Sequence, residues 1–269
     1  MPDSTPQDVT HSGGGVPQCP PPPASLPLNK YAFFLDIDGT LIEPAPYPEM
    51  VAVDADLLEL LNDLAMCSGD AVALVSGRRI STLDILLEPL RFPTAGVHGF
   101  ERRNAAEVVV RRAVPSRRTI ADARRLMQQL LARNRHLVLE DRNFALALHY
   151  GRVPHLESAV IRDVKSIADL VGGGLGVRQG RLVVELSPSG VSKATAIAEF
   201  MSEPPFKGRW PLYLGDYSPD EPAFEWVNAA GGLSVAVNVT GATAAGAQLR
   251  TVSEARAWVR GLITSSAQR

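Results

Sequence analysis

Four polar sites, each near the end of a separate strand–helix unit, occur in the order Asp, Ser, Lys, Asp, and together they hold the parts needed to transfer a phosphoryl group. The first is Asp36-Ile37-Asp38-Gly39-Thr40, after the run Tyr31 to Leu35. An extended chain puts residues two apart on one face, so Asp36 and Asp38 point the same way. Gly39 lets the chain turn tightly, so that backbone N–H groups can face a bound anion. The second and third are Ser76, after Val72 to Val75, and Lys193, before a helical pattern. A hydroxyl and an ammonium can hold phosphoryl oxygens and offset their charge. The fourth is the pair Asp216 and Asp220, again behind a short apolar run. A hard ion such as Mg2+ takes oxygen ligands, and one or two carboxylates plus phosphate and water suffice to hold it. Each feature has a plainer reading: a strand-ending Asx turn at Asp36, a turn at Ser76, a surface charge at Lys193, a helix N-cap at Asp220. Their conjunction, each near the end of a separate strand–helix unit, argues for one site.

Ligand sites in open parallel sheets form at the strand ends, and the surrounding chain has the alternation such a sheet needs. Tyr31 to Leu35 reads as a strand buried on both faces. Val53, Leu57, Leu60, Leu61 and Leu64 recur at helical spacing, Ala71 to Val75 is a second short strand, and Ile80 to Leu87 predicts a further helix. After Gly190 the alternation returns, with helices over 193–201, 222–229 and 252–262 and strands over 211–214 and 234–237. Between them the pattern changes to a strand over 108–114, a basic amphipathic helix over 116–134, and two strands separated only by Arg142 and Asn143. A helix over 154–170 and two strands joined at Gly180 follow. Close hairpins mean an antiparallel sheet. The fold class is therefore α/β: a Rossmann-like parallel-sheet core of residues 28–111 and 185–269, with an inserted α+β unit of order α-β-β-α-β-β over residues 112–184. Residues 1–27, with eight prolines and the run Gly13 to Gly15, are expected to be a disordered tail.

DIDGTL from Asp36, the Ser76 site, Lys193 and GDYSPD from Gly215 resemble the four ordered motifs of haloacid-dehalogenase-type phosphatases, over essentially the whole chain after the tail. In that superfamily an insertion between the second and third motifs is a substrate-selecting cap, the place that residues 112–184 take. More narrowly, VSGR at Val75 to Arg78, AGVHGFERR at Ala95 to Arg103, FALALHY at Phe144 to Tyr150, VVELSPSGVSKATAI at Val183 to Ile197 and LGDYSPDE at Leu214 to Glu221 are similar to segments of the trehalose-6-phosphate phosphatase family.

The resemblance implies hydrolysis of trehalose-6-phosphate, with Asp36 as the nucleophile that takes up the phosphoryl group. Asp38 would protonate the leaving sugar oxygen and then activate water. It implies Mg2+ held by Asp36, Asp216 and the backbone carbonyl of Asp38. Ser76, Gly77 and Lys193 would bind the phosphoryl oxygens, supported by Arg78 and by Asp220, which would fix Lys193. Glu140, Arg142 and Glu185 match sugar-contacting positions of the cap, and His98 would line the junction of core and cap. From the residues alone, Glu140 and Arg142 read as an exposed hairpin turn, and His98 and His149 as structural histidines. The chain departs from the family's usual residues at Tyr217 (for Asp), Pro219 (for Thr), Arg142 (for Lys) and Ser187 (for a basic residue). Arginine for lysine is no neutral exchange at a shaped site, so the departures bear on the sugar contacts.

Composition narrows the alternatives. With 45% apolar and 21% charged residues over 269 positions, the chain can build a sizeable core. Twenty-seven Lys plus Arg against 29 Asp plus Glu leave a net charge of −2, which gives no field to draw it to nucleic acid or an anionic membrane. Cys19 and Cys67 lack metal-ligand spacing, and no apolar run approaches the roughly 18 to 20 residues of a spanning helix. A cytoplasmic protein is expected, and the resemblance implies a sugar-phosphate substrate with a trehalose-phosphate synthase as partner. No dinucleotide-binding or Walker glycine pattern is present. The rival readings are another capped phosphatase, acting on a sucrose, mannosyl or hexose phosphate, and a non-catalytic sugar-phosphate sensor. Tyr217 and Pro219 motivate the sensor; the retained Asp36 and Asp38 stand against it.

Overall fold

A computed structural model of the chain describes residues 19–44, 51–112, 115–142, 145–180, 182–216 and 218–267. In chain order the strands are β1 (Tyr31–Leu35), β2 (Val72–Val75), β3 (Thr94–Gly96), β4 (Glu101–Arg103), β5 (Val109–Arg111), β6 (Val138–Asp141), β7 (Leu146–His149), β8 (Leu175–Gly180), β9 (Val183–Pro188), β10 (Trp210–Gly215), β11 (Leu233–Val237) and β12 (Ala247–Leu249). The helices are α1 (Ala55–Ser68), α2 (Ile80–Leu86), α3 (Arg117–Arg133), α4 (Glu157–Val171), α5 (Lys193–Phe200), α6 (Glu221–Ala229) and α7 (Val252–Ala267).

Eight strands form one sheet in the order β12-β11-β10-β1-β2-β3-β4-β5. It is parallel from β12 to β3, and β4 and β5 close it as antiparallel strands. β1 is central, paired with β10 and β2. Its alternation explains the unbroken apolar run: Phe33 and Leu35 enter the core under α1 and α7, while Ala32 and Phe34 enter the opposite core under α5 and α6. The Asp54 side chain accepts from the Leu57 N–H at 2.8 Å to start α1, and Gly69, at φ +62°, ends it in the left-handed region.

The second sheet has four antiparallel strands in the order β6-β7-β9-β8. One face carries Leu146, Leu148, Val184 and Leu186 into a core of its own, closed by Met127 of α3 and Val164 of α4. The other face carries a row running Glu140, Ala147, Glu185, Arg178 across the four strands. The division expected after residue 184 does not hold, because β9 runs unbroken to Pro188, and Glu185 belongs to the inserted sheet. The turn at Ser189-Gly190 ends the strand, with the Ser189 N–H donating to the Gly174 carbonyl.

The expected tail is also shorter than 27 residues. Residues 1–18 lie outside the described chain, but residues 19–27 run along the edge of β12 and over α7. The Pro20 carbonyl accepts from the Gln248 N–H at 3.0 Å and the Pro23 carbonyl from Trp258 Nε1 at 2.7 Å, and Leu26 is buried in the core. A proline has no N–H but keeps its carbonyl, so a Pro-rich segment can cap a sheet edge from one side. Among the described residues no helix is long and apolar enough to cross a membrane.

Candidate active site

Three strand ends and one helix start converge. Asp36 extends β1 by one residue, its N–H donating to the Leu214 carbonyl at 3.0 Å, so its buried carboxylate stands at the end of the central strand. Lys193 enters from the first turn of α5, which a reciprocal cap between Ser192 and Thr195 holds in place. Its Nζ lies 3.0 Å from Asp36 Oδ1 and 2.5 Å from Asp220 Oδ1. Asp220 precedes α6 without capping it. Instead its Oδ1 accepts from the Tyr213 hydroxyl at 2.7 Å and its Oδ2 from the Asp216 N–H at 2.9 Å. Gly39, at φ +79°, passes so close to Asp216 that a Cβ there would sit 1.9 Å from Oδ2. Only glycine fits both the backbone and the space.

On the other side of β1, Ser76 is buried at the end of β2, and its Oγ accepts from the Arg78 N–H at 3.1 Å. Arg78 reaches back to Asp38 with two bonds, 2.6 Å from Nε and 2.7 Å from Nη2. This bidentate pair takes up the Asp38 carboxylate and keeps it out of the acidic cluster. With its carboxylate so engaged, Asp38 has its backbone carbonyl left to offer a cation.

Asp36, Asp216 and Asp220 offer carboxylate oxygens that all lie within 4.8 Å of one another. Lys193 is the ammonium among them. Burial, against the pull of Lys193, pushes Asp36 up to about 7, and burial together with the charge of Asp36 pushes Asp216 up to about 9. Asp216 Oδ1 is buried with no hydrogen-bond partner. Hard oxygens, an orphaned buried acceptor and too little positive charge are what a divalent cation remedies. Asp220 has both oxygens closely engaged, whereas Asp36 Oδ2 meets the Thr40 hydroxyl at a long 3.5 Å and Asp216 Oδ1 is partnerless, which makes Asp36 and Asp216 the carboxylates better placed to ligate.

A pH dependence follows. An acid whose pKa is raised by folding contributes full stability below its ordinary value, and that stability is lost as the pH climbs through the folded value. Burial lowers the pKa of His98, which works in the opposite direction, but only up to its ordinary value near pH 6.5. Between about pH 7 and about pH 9 the melting temperature in EDTA is therefore expected to fall, and added divalent cation to raise it by an increment that grows with pH. A thermal scan in EDTA that is flat or rising over that window contradicts the arrangement.

The inserted sheet turns its polar row onto this site. Arg142 donates from Nε and Nη2 to the two oxygens of Glu140 at 2.9 and 2.7 Å, and from Nη1 to Glu185 Oε2 at 2.7 Å and the Gly77 carbonyl at 3.2 Å. The hairpin-turn reading of Glu140 and Arg142 is thus corrected: the pair bridges to the loop that follows β2. His98 Nε2 lies 3.4 Å from Glu185 Oε2, and a Cβ on Gly77 would come within 2.8 Å of its ring. In spite of burial, His98 and Arg142 hold Glu185 well below the usual carboxylate range, and His149 and Arg142 hold Glu140 at about 2. Because burial keeps His98 itself toward the neutral form, the standing positive charges beside Glu185 are those of Arg142 and Arg178. His98 Nδ1, Glu185 Oε1 and Ser187 Oγ are buried without partners.

A model of the trehalose-phosphatase family matches residues 34–253. The chain belongs to the trehalose-phosphatase family. The trehalose-6-phosphate phosphatase of Escherichia coli (strain K12) is 42% identical over 245 residues, which covers 89% of each chain. Solved structures agree on the fold. The C-terminal domain of a trehalose-6-phosphate phosphatase from C. albicans matches with a TM-score of 0.80 at 20% identity, over 91% of this chain and 98% of that one. A phosphatase of the HAD superfamily from Bacteroides thetaiotaomicron matches with 0.59 at 18% identity, over 95% and 99%. The α/β core of haloacid-dehalogenase type with an added antiparallel cap sheet is therefore the fold of this family member.

Of the four departures from the family's usual residues, Arg142 and Ser187 lie where cap meets core, and Pro219 sits in the turn Ser218–Asp220 with Asp220 still in place. Tyr217 lies outside the described residues. Two residues of this trehalose-phosphatase site, Tyr213 and Arg178, escaped the sequence reading, and a third, His149, reads from sequence as a structural histidine. Tyr213 supports Asp220, His149 Nε2 lies 3.1 Å from Glu140 Oε2, and Arg178 donates to the Val191 carbonyl beside α5. For His149 the strand period was a usable signal, since it puts His149 on the polar face opposite Leu148.

Proposed function

We propose that this chain hydrolyses trehalose-6-phosphate to trehalose and inorganic phosphate, with Asp36 as nucleophile and the inserted sheet as the cap that selects the sugar. The observation that carries the reading is the Arg142 bridge, which joins the carboxylates of the cap to the Gly77 carbonyl beside Ser76. Sugar recognition and phosphate binding thereby meet in one place. Asp36 attacks phosphorus and forms an aspartyl-phosphate as the sugar oxygen departs. Asp38, once one of its two bonds to Arg78 gives way to a proton, gives that proton to the sugar oxygen and then takes one from the water that cleaves the intermediate. Ser76, the Gly77 backbone and Lys193 hold the phosphoryl oxygens, Asp220 and Tyr213 hold Lys193, and Arg78 orients Asp38. Asp36, Asp216 and the Asp38 carbonyl would hold Mg2+. When bound, the ion offsets charge so that a carboxylate and a phosphate can approach each other.

In the cap, Glu140 and Glu185 present charged acceptors to sugar hydroxyls, and the unpartnered atoms of His98, Glu185 and Ser187 have hydrogen-bonding capacity left for them. A trehalose-phosphate synthase would supply the substrate, and the free thiols of Cys19 and Cys67 suit the reducing cytoplasm.

The test is phosphate release from trehalose-6-phosphate, sucrose-6-phosphate and glucose-6-phosphate, each with Mg2+ or EDTA. Preference for the first, lost in EDTA, is expected. Preference for another ester keeps the chemistry and rejects the sugar; no release from any ester favours the sensor. Glu185→Gln separates cap from chemistry. A lost charged hydrogen bond is expected to raise KM for the preferred sugar phosphate about ten- to a hundred-fold. The same variant should hydrolyse p-nitrophenyl phosphate, which has no sugar to recognise, at close to the unmodified rate.

A further inference from the structure

The chain returns from the inserted sheet to the core through residues 189–192, directly before Lys193. The Ser189 N–H donates to the Gly174 carbonyl, so Ser189 still belongs to the inserted sheet. Val191 is already seated on the core, buried with Val97 and Phe100 and with Ala145 from the cap hairpin. Between them Gly190, at φ +74°, takes up the change of direction. A glycine between two anchored neighbours is a place where one unit can swing against the other.

One side chain spans that pivot. Arg178 stands on β8 directly opposite Glu185 of β9, and its guanidinium donates to the Val191 carbonyl. The bond runs from the inserted sheet to the core side of Gly190, just ahead of Lys193. β8 also lies against the turn Ser218–Asp220, which supplies the carboxylate that holds Lys193. The edge strand of the cap thus touches both the connector that delivers the ammonium and the turn that aims it. A guanidinium bonded to a carbonyl is a charge-assisted pair, roughly twice as strong as a neutral one.

We infer that Arg178 is a positioning residue for Lys193: its bond to Val191 forms when the cap rests on the core, and by fixing the connector it places the ammonium for phosphoryl transfer. The inference rests on the phosphatase reaction proposed above. Arg142 crosses between the same two sheets, but it reaches the loop after β2 rather than the connector. The work is thereby divided. Glu140 and Glu185 meet the sugar, and Arg178 turns the seating of the cap into the placement of Lys193. Touching neither phosphorus nor the sugar in this role, Arg178 acts through the lysine alone.

The test compares Arg178→Met with the unmodified full chain. Methionine keeps much of the apolar stem and removes every donor. With Mg2+ and either the preferred sugar phosphate or p-nitrophenyl phosphate, kcat is expected to fall about ten- to a hundred-fold, as for a lost charged hydrogen bond, while KM for the sugar phosphate changes by less than about three-fold. A residue that only read the sugar would instead raise KM and spare p-nitrophenyl phosphate, and one that only supported the fold would leave kcat alone. Added to Lys193→Met, the same exchange should cost less than about two-fold more, because no ammonium is left to place. Independently of turnover, the backbone amides of residues 190–196 should exchange with deuterated water at least about ten-fold faster in Arg178→Met, with those of β1 unchanged. An unchanged kcat with either ester, a loss that multiplies with that of Lys193→Met, or a connector that exchanges at the unmodified rate overturns the inference. Failure of the reaction itself looks different: the unmodified chain then releases no phosphate from any ester, while the exchange comparison still decides whether Arg178 holds the connector.

Discussion

With Asn in place of Asp36, phosphate release is expected to fall at least about a thousand-fold while the chain stays folded. The exchange keeps the shape of the side chain and removes its nucleophilic oxygen. Asp36 is the carboxylate at the end of the central strand, and Lys193 beside it is also paired to Asp220, so the variant still holds its ammonium in place. In metal-free buffer at about pH 8 the loss of one crowded carboxylate relieves repulsion with Asp216, and the melting temperature should not drop. Enzyme quenched in acid during turnover of phosphate-labelled substrate should carry label that hydroxylamine removes, and the Asn variant should carry none. A variant that keeps about a tenth of the activity removes Asp36 from the nucleophile's role, because an amide cannot take its place in the bond that forms.

The parts of this site that were legible in the sequence are those where neighbours in space are neighbours in the chain. β1 was legible because a strand buried on both faces must be apolar throughout, and the residue after it is then placed by geometry alone. Asp36, Ser76 and Asp216 follow their strands directly and Lys193 opens α5, and the alternation of strand and helix brings those ends to one side of the sheet. β4 was not legible, since Glu-Arg-Arg has no apolar period. It is buried all the same, because Arg103 makes two bonds of 2.7 Å to Asp84 and Glu101 accepts from the Ile80 N–H at 2.7 Å. Those partners lie 19 and 21 positions away, and no local pattern announces them. Residues 19–27 were misread for a related reason. Low apolar content argues for disorder, but carbonyl groups and one leucine were enough to seat them on β12 and α7. The Arg142 bridge to Gly77 spans 65 positions between two sheets, so a hairpin was as far as local reasoning reached.

Lys193→Met tests whether charge, rather than shape, holds the core of the site together. Lys193 is 1% exposed and stands between Asp36 and Asp220, with Asp216 close by. Methionine fills nearly the same volume without the charge. Removing one partner of a buried ion pair costs about 3–5 kcal/mol, because the other charge stays behind without compensation. For a chain of this size that corresponds to a fall in melting temperature on the order of 10 °C. The cost depends on pH in a known direction. At about pH 5, Asp36 and Asp216, with their raised pKa values, are already protonated, so the fall should be smaller and come from the lost Asp220 pair; at about pH 8 it should be full. Divalent cation should recover part of it by supplying the missing positive charge. Activity should drop at least about a hundred-fold even with cation present, since a phosphoryl oxygen then lacks its ammonium partner. A Met variant that melts like the unmodified chain at both pH values means that Lys193 carries no charge balance in the fold, and the crowding of Asp36, Asp216 and Asp220 then needs another explanation.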